Sequence, residues 1–176
     1  MTGFKFSMLE MFTVLLFVGA CSMPSVADES DWSNADIQPL TTELVMELKV
    51  SIGPTVEIGP SDKGTRRYIS ITGGSFEGKG IKGEVLAGGA DWQLTRPDGV
   101  LEVNAIYAIK THDGAVITVT NSGLVDVSAS SRYVRTVPSF QAPNGKYDWL
   151  NRRVFVGTIT PSPKRDFVTI RVFEVR

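Results

Sequence analysis

One cysteine and one histidine stand in the 176 residues. A lone cysteine closes no internal disulfide, and one thiol with one imidazole falls short of the ligand set a zinc ion needs. No metal and no cofactor are therefore expected. A Ser-His-Asp or Cys-His centre would have to use His112, which stands beside Asp113-Gly114 in a turn-like stretch. Charge of one sign is lacking as well: 18 Lys and Arg face 19 Asp and Glu, a formal net charge of -1. That balance projects no wide positive field toward phosphates, so nucleic acid is not an expected partner. Walker and Rossmann fingerprints are absent, and the Gly-rich segment from Gly73 leads into no helical pattern that would cradle a phosphate.

Long apolar runs are missing too. The clearest, Met11–Val18, is far shorter than the roughly 20 residues a bilayer core requires. Its length suits the apolar core of a signal peptide, with Lys5 upstream, although Glu10 beside it is atypical. Val18-Gly19-Ala20-Cys21 resembles the bacterial lipobox, in which the cysteine becomes the lipidated N-terminus. Ser25-Val26-Ala27 before Asp28 suits ordinary signal cleavage instead, and that would discard Cys21. The expected organisation is a signal peptide at 1–20, a flexible tether at 21–39 and one domain at 40–176. The first reading anchors the protein in the cell envelope through lipid on Cys21; the second leaves it secreted or periplasmic. Four of the five methionines lie in or beside the leader, so Met46 is the only one in the body.

What the body does contain is alternation. Leu44, Met46, Leu48, Val50 and Ile52 interleave with Glu43, Glu47, Lys49 and Ser51, as in a strand with one buried face. Leu101, Val103, Ala105, Tyr107 and Ile109 share a face, opposite Glu102, Asn104 and Lys110. Ile69 and Ile71 alternate with polar neighbours, and further strand-like runs start near Ile81, Ala90, Val116, Tyr133, Arg153 and Phe167. Pro97-Asp98-Gly99, His112-Asp113-Gly114 and Asn144-Gly145 supply turn residues between them. The reading is all-β: a small closed or nearly closed antiparallel β-barrel of about eight to ten strands, since closure removes exposed edges. A sandwich is the alternative. Gly73-Gly74, Gly78, Gly80, Gly83 and Gly88-Gly89 fit corners or close backbone approach. A membrane-spanning barrel would need a continuous lipid-facing apolar band, which these short, Gly-broken runs do not offer.

The segments Ile71-Thr72-Gly73-Gly74-Ser75-Phe76-Glu77-Gly78-Lys79-Gly80-Ile81-Lys82-Gly83 and Val85-Leu86-Ala87-Gly88-Gly89-Ala90-Asp91-Trp92-Gln93 resemble the family called domain of unknown function 3237. Arg96 with Asp98-Gly99, Tyr107, Asp113-Gly114-Ala115, Asn121 with Gly123, Arg132-Tyr133, Pro138 with Phe140, and Trp149-Leu150-Asn151 follow in the same order. The resemblance runs from about Leu40 to the C-terminus and implies a small antiparallel barrel with no agreed activity. Gln141 departs from it, where an acidic residue is expected after Phe140.

Asp91 is the leading candidate for chemistry. It shares strand parity with Gln93 and Thr95, so a polar stripe faces one side, and a carboxylate desolvated in a barrel lumen suits general acid or base work. It can equally cap the preceding glycine turn. Arg96 either holds a ligand's carboxylate or enolate, or bridges to Asp91 or Glu102. Gln93, Tyr107, Tyr133, Trp149 and Asn151 are candidate ligand-binding groups, with core or edge cover as the alternative. Two functions compete: a barrel that binds a small, partly apolar or aromatic molecule, and a cofactor-independent isomerase, cyclase or lyase using Asp91 and Arg96. A third is an envelope interaction module with an exposed aromatic patch.

Overall fold

The computed structural model describes residues 38–127 and 132–176; Cys21, Asp28 and the segments 1–20 and 21–37 lie outside them. Alternation in the sequence becomes nine antiparallel strands: β1 (Thr42–Ser61), β2 (Gly64–Gly78), β3 (Ile81–Val85), β4 (Gly89–Thr95), β5 (Leu101–Thr111), β6 (Val116–Asp126), β7 (Tyr133–Gln141), β8 (Phe155–Pro161) and β9 (Phe167–Val175). Their order is β1-β9-β8-β7-β6-β5-β3-β2-β4, and further pairings β1–β2 and β5–β4 bring the sheet round on itself. It is a nearly closed all-β barrel.

Consecutive β3 and β4 do not pair with each other. Both pair antiparallel with β2 on one side and β5 on the other, end to end, so nine strands fill eight places around the ring. The joint between β7 and β8 is the thinnest, with Thr136 opposite Gly157 as its recorded pair. A side chain on Gly157 would sit 2.5 Å from Thr136 Oγ1, so glycine lets the two strands approach.

The corner lies where β2 changes partner. Ile71 is the last residue opposite β4 and Gly74 the first opposite β3, and Gly73 and Gly74 both hold positive φ, 142° and 137°. β1 skips one β2 residue at the same place. Only glycine adopts that backbone without strain. A second irregularity corrects the expected face of β1: a register shift between Leu44 and Met46 turns Leu44 to solvent while Val45 and Met46 are both buried.

Pro97-Asp98-Gly99 and His112-Asp113-Gly114 form the expected hairpin turns, closed by Arg96 N–H to Val100 O and Thr111 N–H to Ala115 O. Asn144-Gly145 instead leads into a short 3-10 helix, Asp148–Arg152, between β7 and β8. That helix is tied down by Asp113, whose carboxylate accepts from Thr111 Oγ1, Lys146 Nζ and Tyr147 Oη. These donors hold its carboxyl far below the usual range.

Inward residues fill the barrel unequally. At one end Met46, Leu48, Phe76, Ile109, Ile117 and Phe155 form a packed core, with Leu150 of the 3-10 helix closing it. The other end is hollow.

Candidate functional site

The cavity has a volume of about 370 Å³, within the range of small-molecule pockets. Its walls are mainly apolar: Val50, Ile69, Val103, Ala105, Val134 and Ile170 are contributed by strands all round the barrel. Polar groups enter at few points, and strand parity explains those that stand on strands.

On β4, Asp91 and Gln93 face inward while Trp92 faces out, where it stacks on Tyr68 at 4.9 Å. Gln93 Nε2 donates to Asp91 Oδ2 at 2.6 Å, and Arg67 Nε on β2 donates to Gln93 Oε1 at 2.8 Å. The amide of Gln93 thus relays between a guanidinium and a carboxyl and is itself 7% exposed. Asp91 Oδ1 accepts the backbone N–H of Asn104 at 3.1 Å. Burial pushes the Asp91 carboxyl above its ordinary range, against the opposing pull of Gln93, the Asn104 N–H and Arg67. Each carboxyl oxygen already accepts one hydrogen bond, so a proton on Asp91 must point along a remaining lone pair.

Tyr107 on β5 also lines the cavity; burial, and next the Asp91 charge, push its phenol well up, so it remains a neutral O–H. Gly89 makes room for it, because a Cβ there would come within 2.5 Å of the Tyr107 Cβ. Asn121 on β6 is 1% exposed, and its Oδ1 has no hydrogen-bond partner among the described residues. A buried acceptor left unsatisfied costs about 1–3 kcal/mol, so this oxygen points to a missing donor. Asp91, Ala105 and Asn121 lie opposite one another across β4, β5 and β6. The single methyl of Ala105 therefore separates a carboxyl from an amide along one row of the wall.

The structure brings Asp91, Gln93 and Tyr107 together and leaves the other expected residues elsewhere. Arg96 is on the outer face, paired with Asp98 and, at 3.8 Å, with Glu102; it does not reach the cavity. Its place at the end of β4, just before the hairpin turn, sends it to solvent. Tyr133 starts β7 on the outward parity, with the Arg135 guanidinium 5.3 Å from its ring. Trp149 packs its ring against Phe155 in the core. Asn151 clips the chain: its side chain donates to Ala142 O and accepts from Ala142 N–H. His112 is an exposed turn residue.

Arg67, Asn121, Arg132 and Arg165 line the cavity without having been expected as site residues. Arg67 has a visible signal, since it shares parity with Ile69 and Ile71 and so ends an inward stripe in a cation. Asn121 becomes legible as a site group only once β6 is registered against Ala105. Among the described residues no cluster of three metal-ligating side chains exists.

The comparisons agree with this architecture. A model of the family described as protein of unknown function (DUF3237) matches residues 40–175. A UPF0311 protein of Rhodopseudomonas palustris is 36% identical over 150 residues, covering 77% of this chain and 97% of that protein. A crystal structure of a conserved R. palustris protein of unknown function superposes with a TM-score of 0.73 at 36% identity, covering 80% of this chain and all of the other. A protein of Acinetobacter baumannii, described as beta-barrel like, gives a TM-score of 0.72 at 31% identity over 81% of this chain and 99% of that one. The hydroalkoxylation enzyme phnH of Penicillium herquei is 31% identical over 120 residues, 68% of this chain and 74% of that enzyme. The chain is a member of the DUF3237 family.

Proposed function

We propose that the hollow end of the barrel binds a small, largely apolar or aromatic molecule and that Asp91 transfers a proton to it without a cofactor. The observation that carries the reading is the Asp91 carboxyl, desolvated in an apolar cavity and fixed from two sides by Gln93 and the Asn104 N–H. Burial holds the acid protonated to higher pH than in water, which suits a general acid. Hydroalkoxylation, the addition of an O–H across a C=C bond, is the chemistry named for the Penicillium relative, and it needs only such a group. Asp91 gives its proton to the alkene carbon, forming a C–H bond. The hydroxyl oxygen attacks the carbocation that results, forming the C–O bond, and its proton returns to the Asp91 carboxylate. No net proton, electron or leaving group remains. Tyr107 and Asn121 are placed to orient the ligand's oxygens.

An ortho-prenyl phenol tests this reading, with the cyclic ether as product. Ether formation faster than in buffer is the expected result. A ligand soaked or co-purified elsewhere on the surface, with the cavity empty and no turnover, would sink it.

The same proposal keeps the barrel in the cell envelope, tethered by lipid on Cys21, because the lone cysteine follows a short apolar run and small residues. Intact mass of the protein from its own membranes should show the acyl mass at Cys21; an unmodified chain starting at Asp28 would refute it.

A further inference from the structure

The mouth of the cavity has an electrical sign that its depth lacks. Three arginines line it: Arg67 on β2, Arg132 just before β7, and Arg165 in the turn between β8 and β9. The acidic residue among its lining groups is Asp91, whose charged form burial disfavours. Arg132 and Arg165 are exposed, and none of the three is ion-paired with a carboxylate of the described residues. Most other arginines of the barrel do have such partners: Arg96, Arg152, Arg153, Arg171 and Arg176 all pair with Asp or Glu. Arg165 also holds φ at 56°, the one non-glycine described residue with positive φ. That backbone is uncommon outside glycine.

Depth and mouth ask for different ends of one molecule. Below the arginines the wall is apolar, down to the row in which Ala105 separates Asp91 from Asn121. Two strand spacings, roughly 9–10 Å of wall, part those two polar groups at their backbones. A ligand edge lying over the Ala105 methyl presents a hydroxyl to the free Asn121 Oδ1 and a reacting group to Asp91. The guanidinium forks then meet whatever the molecule carries at its outer end, and planar forks without carboxylate partners favour a carboxylate or phenolate.

We infer that the ligand is a small aromatic acid: an apolar ring body seated over Ala105, a hydroxyl reaching Asn121, and an anionic oxygen group held by Arg67, Arg132 and Arg165 at the mouth. This deepens the proposed function and rests on its reading of the cavity. It also gives Ala105 a role as the residue that sets how deep a ring can enter. Any larger side chain at that position fills the gap between Asp91 and Asn121.

Naphthoate and naphthol, one anionic and one neutral at pH 7, are matched fluorescent probes of this arrangement. The wild-type protein should bind naphthoate about tenfold or more tighter than naphthol, since charge-assisted pairs with a guanidinium are the strong ones. The double variant Arg132→Gln/Arg165→Gln should shrink that ratio while leaving naphthol affinity within a few fold. Ala105→Leu should lose both probes with an unchanged circular dichroism spectrum; Ala105→Val serves where leucine prevents folding. Added salt should weaken naphthoate binding more than naphthol binding. Equal affinity for the two probes, or a ratio indifferent to the arginine double variant, overturns the acid assignment while the cavity reading stands. Naphthoate binding that survives the Ala105 change places the anion outside the cavity and also overturns it. Binding of neither probe overturns both.

Discussion

Asp91→Asn is expected to lower turnover of an ortho-prenyl phenol by roughly 100- to 10,000-fold, the range general acid catalysis supplies. Binding of the phenol should stay within a few fold, because an amide preserves the shape of the carboxyl and its oxygen can still accept the Asn104 N–H, although its NH2 no longer accepts from Gln93. The loss therefore falls on kcat and not on KM, the sign of a group that acts in the transition state. Equal losses in both would reduce Asp91 to a binding residue and favour the carrier reading.

The same variant carries a stability signature with a defined sign. In the unfolded chain Asp91 titrates near the ordinary value of about 3.9, and burial raises its pKa in the fold. Below the unfolded value both states hold the proton and the group contributes no pH dependence. As pH rises past it the unfolded chain ionises first, so the wild-type fold loses stability until pH passes the raised value. An amide in its place does not titrate and has no such loss. The Tm of the Asp91→Asn variant minus that of wild type should therefore climb as pH rises from about 4 and then level off. A difference that stays flat across that range would show that the carboxyl is not desolvated, and would remove the basis for Asp91 as an acid.

Gly74→Val should be among the most damaging single changes in the barrel wall. A Cβ at Gly74 would lie 2.1 Å from the backbone oxygen of Lys49, and φ is 137°. Neither obstacle can be relieved by a rotamer, since the facing atom is backbone and the strand is paired on both sides, with β1 and β3. Strain of about 1–3 kcal/mol for the backbone, with the clash added, brings the expected loss to more than about 3 kcal/mol. In a chain of this size that lowers Tm on the order of 6–12 °C. Gly80→Asn is the control: φ is 71° there, open space surrounds it, and asparagine tolerates that region. If urea unfolding gave the two variants the same loss, the corner at Gly73-Gly74 would not be what turns β2 from β4 to β3.

Much of the site was legible along the chain because a barrel wall keeps the period of two. Asp91, Gln93 and Tyr107 face the lumen because parity on β4 and β5 sends them there. Parity failed as a guide where it was interrupted. Leu44 left its expected face because a bulge inserted Val45, and Arg96 lies beyond the last inward residue of β4, where the chain leaves the wall. Trp149 and Asn151 belong to a connection with no period at all, so their chemistry alone suggested a cavity mouth; one became core and the other a backbone clip.

Local chemistry, then, determined the elements: alternating residues made strands, and Asp-Gly pairs made hairpin turns. Near-neutral charge and the lone Cys and His bounded the class of protein before any fold was known. Only the closed sheet decided which end of the barrel is packed and which is hollow, because large side chains from distant strands, Phe76, Phe140 and Phe155 among them, converge at one end. At the other end Ala105 and aliphatic side chains such as Val50, Val103 and Val134 leave space. It was likewise the register of β4 on β5 and of β5 on β6 that set Asp91 and Asn121 on one row, 30 positions apart in the chain and two strands apart in space. A strand dictates which way its own residues face; which residues of other strands they meet is a property of pairing, and pairing exists only in the folded barrel.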